Sequence, residues 1–154
     1  MKVELPYATG TLTATLPAGA RRLSSEPETA LPAIDDLHAA MRAAIAAPRG
    51  LPRLRDMATP GARVTIAFDD HTVGSFGPIR PVAIRAVLDE LAEAGVSRSQ
   101  VTLVCANALH RMCRPSELAR LLDDELVHDF GPRLVCHDAE DPDQIAYGLV
   151  SGTP

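Results

Sequence analysis

Three short apolar runs separated by stretches of helical periodicity constrain the fold of this chain more than any other feature. The runs are Arg63-Val64-Thr65-Ile66-Ala67-Phe68, Val101-Thr102-Leu103-Val104-Cys105 and Arg133-Leu134-Val135-Cys136. Each is too short for a helix, and the first two are rich in β-branched residues, as expected of buried parallel strands. Between the first two, Ile84, Val87, Leu88 and Leu91 mark a helix over 79–94, closed by Gly95. Between the second and third, the pattern predicts one helix over 115–126, with Pro115 suited to its first turn. Alternation of this kind gives βαβαβ, and hence an α/β, Rossmann-like parallel sheet with right-handed crossovers.

Upstream, residues 1–16 alternate around Thr9-Gly10 and predict a β-hairpin. Residues 17–32 carry the Pro, Ser, Glu and Arg of a loop. Ile34, Leu37, Met41 and Ile45 recur at helical spacing, which predicts an amphipathic helix over 33–47. A connector over 52–60 has room for a short helical turn, the βαβαβ unit occupies 62–154, and a last turn of helix is expected at 144–147. The whole reads as a single α/β domain, and its thin sheet is expected to be the N-terminal part of a longer two-domain enzyme.

Composition narrows the function classes. At 154 residues and 46% hydrophobic, the chain can bury a sizeable core, but no Trp, two Tyr and three Phe leave Ala, Leu, Val and Ile to build it. A formal charge of −5 argues against a nucleic-acid partner. Cys105, Cys113 and Cys136, odd in number and without a CxxC pair, read as reduced thiols. No apolar run is long enough for a membrane span and no signal pattern opens the chain, so a cytoplasmic address is expected. Homo-oligomerisation is left open.

Ligands of open α/β sheets sit beyond the carboxyl ends of the strands. Three segments follow those ends: Asp69-Asp70-His71-Thr72, Asn107-Ala108-Leu109-His110-Arg111, and His137-Asp138-Ala139-Glu140-Asp141. Each strand delivers a His to the rim, and imidazoles suit proton transfer near neutral pH. Each residue also has a plainer reading. Asp69 and Asp70 can cap the next helix, His71 can pack or face solvent, and His137-Asp138 can be a turn. His38 and His128 read as structural, and Arg80 and Arg85 as a solvated helix face.

Taken in order, these stretches resemble the N-terminal domain of the lactate racemase family of nickel-pincer 2-hydroxyacid racemases and epimerases. Leu5-Pro6-Tyr7 with Leu12-Thr13-Ala14 is similar to the family's opening hairpin. Ala67-Phe68-Asp69-Asp70-His71-Thr72 resembles its strand ending in an Asp-x-Thr motif. Ala106 to Arg111 with Glu117-Leu118 resembles its alanine, glycine, histidine-arginine, threonine, glutamate-leucine segment. His137-Asp138 and Gly148 through Pro154 resemble the stretch that closes this part of the domain. The resemblance implies a racemase in which a histidine takes the substrate hydroxyl proton while hydride moves to a nickel-pincer nucleotide derived from nicotinic acid. It further implies His110 as acid/base, with Asp70 and Thr72 lining the pocket and His71, Val73, Arg111 and His137 as secondary pocket residues.

Two departures from the family pattern qualify what is expected. The family commonly has Arg after its Asp-x-Thr motif, where this chain has Val73. Lactate itself is therefore not the expected substrate, and Arg80 is a weak candidate to restore the charge. The tethering lysine, the second acid/base histidine and the nickel-binding histidine are implied downstream. The only lysine here is Lys2, so the 154 residues alone are expected to be inactive and to need the remaining C-terminal domain as partner. Two rival readings stand beside this one: a non-catalytic interaction module of the same fold, and a divalent-metal hydrolase using Asp69, Asp70, His110 and His137 as ligands.

Overall fold

In the computed structural model, residues 1–21, 23, 31–73 and 77–145 are described. Two compact units divide the chain, one within Met1–Ala33 and one within Ile34–Pro154.

The first unit is a hairpin of β1 (Lys2–Tyr7) and β2 (Gly10–Thr15), antiparallel and in continuous register from Lys2↔Thr15 to Tyr7↔Gly10. The turn places Ala8 at φ 49°, one residue before the predicted Thr9-Gly10 pair. Val3 faces Ala14 and Leu5 faces Leu12, so the period-2 pattern gathers the apolar side chains as cross-strand pairs.

In the second unit, α1 spans Leu37–Ala46, and the Asp36 carboxylate caps it by accepting from Ala39 N–H at 2.8 Å. The cap explains why the helix starts after residue 36 and leaves Ile34 outside. A single turn, α2 (Leu54–Met57), fills the connector. Then follow β3 (Val64–Phe68), α3 (Ile79–Glu93) and β4 (Val101–Cys105). Gly95, at φ 80°, ends α3 as the sequence requires.

The expected single helix over 115–126 is two helices, α4 (Pro115–Leu122) and α5 (Asp124–Phe130). Asp123 divides them at φ 109°, and its side chain does two jobs there. It accepts Leu126 N–H at 2.9 Å as the cap of α5, and it accepts the Arg85 guanidinium at 2.7 Å. The strand β5 (Leu134–Cys136) closes the series, and Gln144 and Ile145 are not helical. The rest of the expected last turn, Ala146 and Tyr147, lies outside the described residues, as do Gly148 through Pro154.

The sheet order is β3-β4-β5, all parallel, with Phe68↔Cys105 and Cys105↔Cys136 in register. Alternation puts Ile66, Phe68, Val101, Leu103, Cys105, Leu134 and Cys136 on one face, where they pack with Ile84, Leu88 and Leu91 of α3 and with Leu118, Leu122, Leu126 and Phe130. On the other face Thr65, Ala67 and Val135 are exposed, so β3 and β5 are buried on one side rather than two. No helix among the described residues is long and apolar enough to cross a membrane.

Candidate functional site

The strand ends converge on one edge of the sheet. Beyond the last ladder pair, Ala106 N–H still donates to Phe68 O at 2.8 Å, and His137 N–H to Cys105 O at 2.9 Å. The three segments selected by the sheet rule are thereby stitched side by side.

Asp70 is the buried centre of this rim, only 3% exposed. Its Oδ1 accepts the Thr72 hydroxyl at 2.6 Å and the Thr72 amide at 3.1 Å, while Oδ2 lies 2.7 Å from His110 Nδ1. The two-residue spacing of Asp70 and Thr72 is the reach of an Asx turn, which is why this motif folds back on its own carboxylate. Burial by itself would push the Asp70 carboxyl up. The hydrogen bonds from Thr72 and His110 outweigh it and hold the group at about 2.

An ionised carboxylate only accepts, so the ring of His110 must donate from Nδ1. In the neutral ring that leaves Nε2 with a free lone pair. The His110 side chain is 51% exposed. The residue lines a cleft of about 380 Å³ with Leu109, Arg111, Met112, Asp138 and Glu140 among others.

The loop that presents His110 is braced by its own backbone and by Asn107. His110 N–H donates to Asn107 O at 2.8 Å, and Asn107 Nδ2 donates to His110 O at 3.1 Å. Ala108 adopts φ 48° within this turn, a left-handed conformation that favours glycine. Asn107, 1% exposed and with its Oδ1 unpartnered, is the residue to which sequence reasoning gave no role. Its signal was a polar amide directly after a strand end, where a loop must fold back.

The remaining expected residues are distributed differently. His137 Nδ1 donates to Ala108 O at 3.2 Å, so it braces the His110 loop without joining the Asp70 pair. His71 turns away from His110 and lies 3.5 Å from Cys113 Sγ. Together with Val73, Glu117, Arg120 and Leu121 it lines a separate cleft of about 420 Å³. Val73, 42% exposed, thus belongs to the His71 cleft and not to that of His110. Arg111 is held by Glu117 in a two-pronged pair at 2.8 and 2.7 Å, and the same guanidinium holds the Glu117 carboxyl down to about 2.

The charged residues near α3 also depart from expectation. Arg80, only 7% exposed, pairs with the Asp69 carboxylate and donates to Val73 O at 3.2 Å. It is a buried clamp on the turn after β3, not a solvated side chain, and it has no charge to spare for a substrate. Asp69 serves this ion pair rather than a helix cap, and Arg80 holds its carboxyl below the ordinary range. Arg85 likewise joins Asp123 and Glu125 rather than solvent. Asp69, Asp70, His110 and His137 form no common ligand cluster, which leaves the metal-hydrolase reading without a site among the described residues.

Comparison with known proteins supplies the family. The model of the lactate racemase N-terminal domain matches residues 7–151. The chain belongs to this family. A solved structure of the lactate racemase apoprotein from Thermoanaerobacterium thermosaccharolyticum is similar to it in fold, with a TM-score of 0.57 and 23% sequence identity. The match covers 90% of this chain and 30% of that one, so the chain spans under a third of the length of the protein it resembles. No curated protein matches.

Proposed function

We propose that this domain supplies the proton-transfer half of a racemase or epimerase acting on a 2-hydroxy acid. The observation that carries the reading is the 2.7 Å pair of Asp70 with His110 Nδ1, on a half-exposed ring that lines a cleft. His110 Nε2 takes the proton of the substrate hydroxyl as the C–H bond at the same carbon breaks. Asp70 holds the ring in the accepting tautomer and stabilises the imidazolium that forms, and Thr72 fixes the carboxylate. The proton returns from the acid/base group to the keto oxygen. Inversion at C2 would follow from return of the hydride to the opposite face of the flat keto acid, the hydride acceptor being supplied by the complete enzyme. The isomerase activity belongs to the complete enzyme, with a 2-hydroxy acid as its small-molecule substrate and the remaining domain a partner.

The cofactor implied by the family is a nickel-pincer nucleotide, whose chemistry when bound is that of a hydride acceptor. The residues of this chain do not fit it as an anchor. The His110 cleft carries Asp138 and Glu140, which repel an anionic nucleotide, and the only lysine is Lys2 of the hairpin. Its holding residues therefore belong to other parts of such an enzyme. With Arg111 already paired to Glu117, the cleft offers no free cation among the described residues to grip a substrate carboxylate, so that grip would come from other parts of the enzyme.

The test is isotopic. In the complete enzyme, a substrate carrying deuterium at C2 keeps that label in the inverted product while the hydroxyl proton exchanges with water. Loss of the C2 label to solvent at the rate of inversion means that a base removes the carbon-bound proton, and the assignment of His110 to the hydroxyl is then wrong.

A further inference from the structure

Three thiols scattered in sequence are gathered beneath the rim. Cys105 ends β4, Cys136 ends β5 beside it in register, and Cys113 returns from the His110 loop onto the same face. The Cys105 and Cys113 sulfurs are 3.7 Å apart, and all three sulfurs lie within 4.8 Å of one another. Apolar packing here would be served as well by Val or Ala, and what distinguishes this cluster is its spacing. A zinc-type ion binds thiolate sulfur at about 2.3 Å, which sets sulfurs about 3.8 Å apart in tetrahedral and about 4 Å apart in trigonal coordination. The 3.7 Å pair falls in that range, and the 4.8 Å bound on the others leaves at most about 1 Å for side-chain movement to close.

We propose that Cys105, Cys113 and Cys136 form a binding site for one thiophilic divalent cation of the zinc class. Three thiolates around a dication leave one net negative charge, a smaller burden on a buried site than a monovalent ion would leave. Entry is through the cleft of about 420 Å³, because His71 lines it and its Nδ1 touches Cys113 Sγ at 3.5 Å. His71, Cys113 and Glu117 form a second triad there, but its carboxylate is already held by Arg111 at 2.7 Å and by Arg114 N–H at 2.8 Å. A cation passing His71 therefore settles on the sulfurs rather than at the mouth.

The site would act as a clasp on the functional rim. Cys105 and Cys113 bracket the loop that carries His110, and Cys136 directly precedes His137, which holds Ala108 O. An ion on the three sulfurs ties both ends of that loop to β5.

The experiment titrates the reduced, metal-free chain with Cd²⁺ and follows the ultraviolet thiolate-to-metal charge-transfer band. A linear rise ending at one equivalent is expected, reversed by excess EDTA and indifferent to Mg²⁺. Cys113→Ala should weaken binding at least ten-fold, and the half-buried Cys136→Ala should do the same with less risk to the core; circular dichroism checks that each variant is folded. Absence of the band from the folded wild-type chain at several-fold excess Cd²⁺ overturns the proposal. A band of unchanged intensity in whichever of the two variants stays folded overturns it equally.

Discussion

Replacing Asp70 by Asn removes one charge and nearly nothing else, so it isolates what the Asp70–His110 pair contributes. In the wild type the carboxylate accepts from His110 at 2.7 Å and from Thr72 at 2.6 and 3.1 Å. Those bonds bring its carboxyl from 3.8 to about 2 against the opposing effect of burial. At 1.36 kcal/mol per pH unit, the shift corresponds to about 2 kcal/mol of stability at neutral pH. The sign follows from the direction: a carboxyl depressed on folding stabilises the native state above its unfolded value. That contribution is lost as the pH falls through the folded value, so the window runs from about pH 4 to about pH 2. Urea unfolding of the chain should therefore show Asp70→Asn to be about 2 kcal/mol less stable at pH 7, with the difference shrinking across that window. The variant amide also presents a donor to His110 Nδ1, which favours the tautomer protonated at Nε2. Nitrogen-15 NMR of the ring should report the proton on Nδ1 in the wild type and on Nε2 in the variant. A variant of wild-type stability at pH 7 with an unchanged tautomer would refute the reasoning.

Two further outcomes follow from the rim. Ala108→Gly removes a left-handed strain of roughly 1–2 kcal/mol and returns part of it as unfolded-state entropy, for a net gain of about 0.5–1 kcal/mol. A thermal midpoint unchanged or lowered would contradict this. Arg80→Met breaks the ion pair with Asp69 and the bond to Val73 O, and should cost about 1–3 kcal/mol in urea unfolding. A loss within about 0.5 kcal/mol would restore the reading of Arg80 as a solvated side chain.

The sheet was legible because its strands are written locally. Val101 to Cys105 is a run rich in β-branched residues and apolar but for Thr102, and β4 is the strand paired on both edges. The hairpin was legible for the same reason, in alternation around a turn. What escaped the sequence depends on partners distant in the chain. The break between α4 and α5 rests on Asp123, whose φ of 109° is supported by a guanidinium 38 positions away. Arg80 looked solvated because nothing local announces that Asp69 waits 11 positions upstream to bury it. The sheet rule brought His110 beside Asp70, but it could not separate the His71 cleft from that of His110. That division is made by the Asx turn at Asp70, which sends the side chains of successive residues to opposite sides. Asn107 had only its place after β4 as a signal, and the thiol cluster needs the His110 loop to bring Cys113 back onto the strand-end pair of Cys105 and Cys136.

The central claim is that His110, held by Asp70, is the acid/base group of the domain. Its most direct measurement is the turnover of the complete enzyme carrying His110→Ala, with its substrate at saturation. Loss of the acid/base group predicts a fall of about 10²-fold or more in turnover with folding and cofactor content intact, because the side chain is half exposed on a rim loop. Turnover equal to that of the wild type would contradict the account.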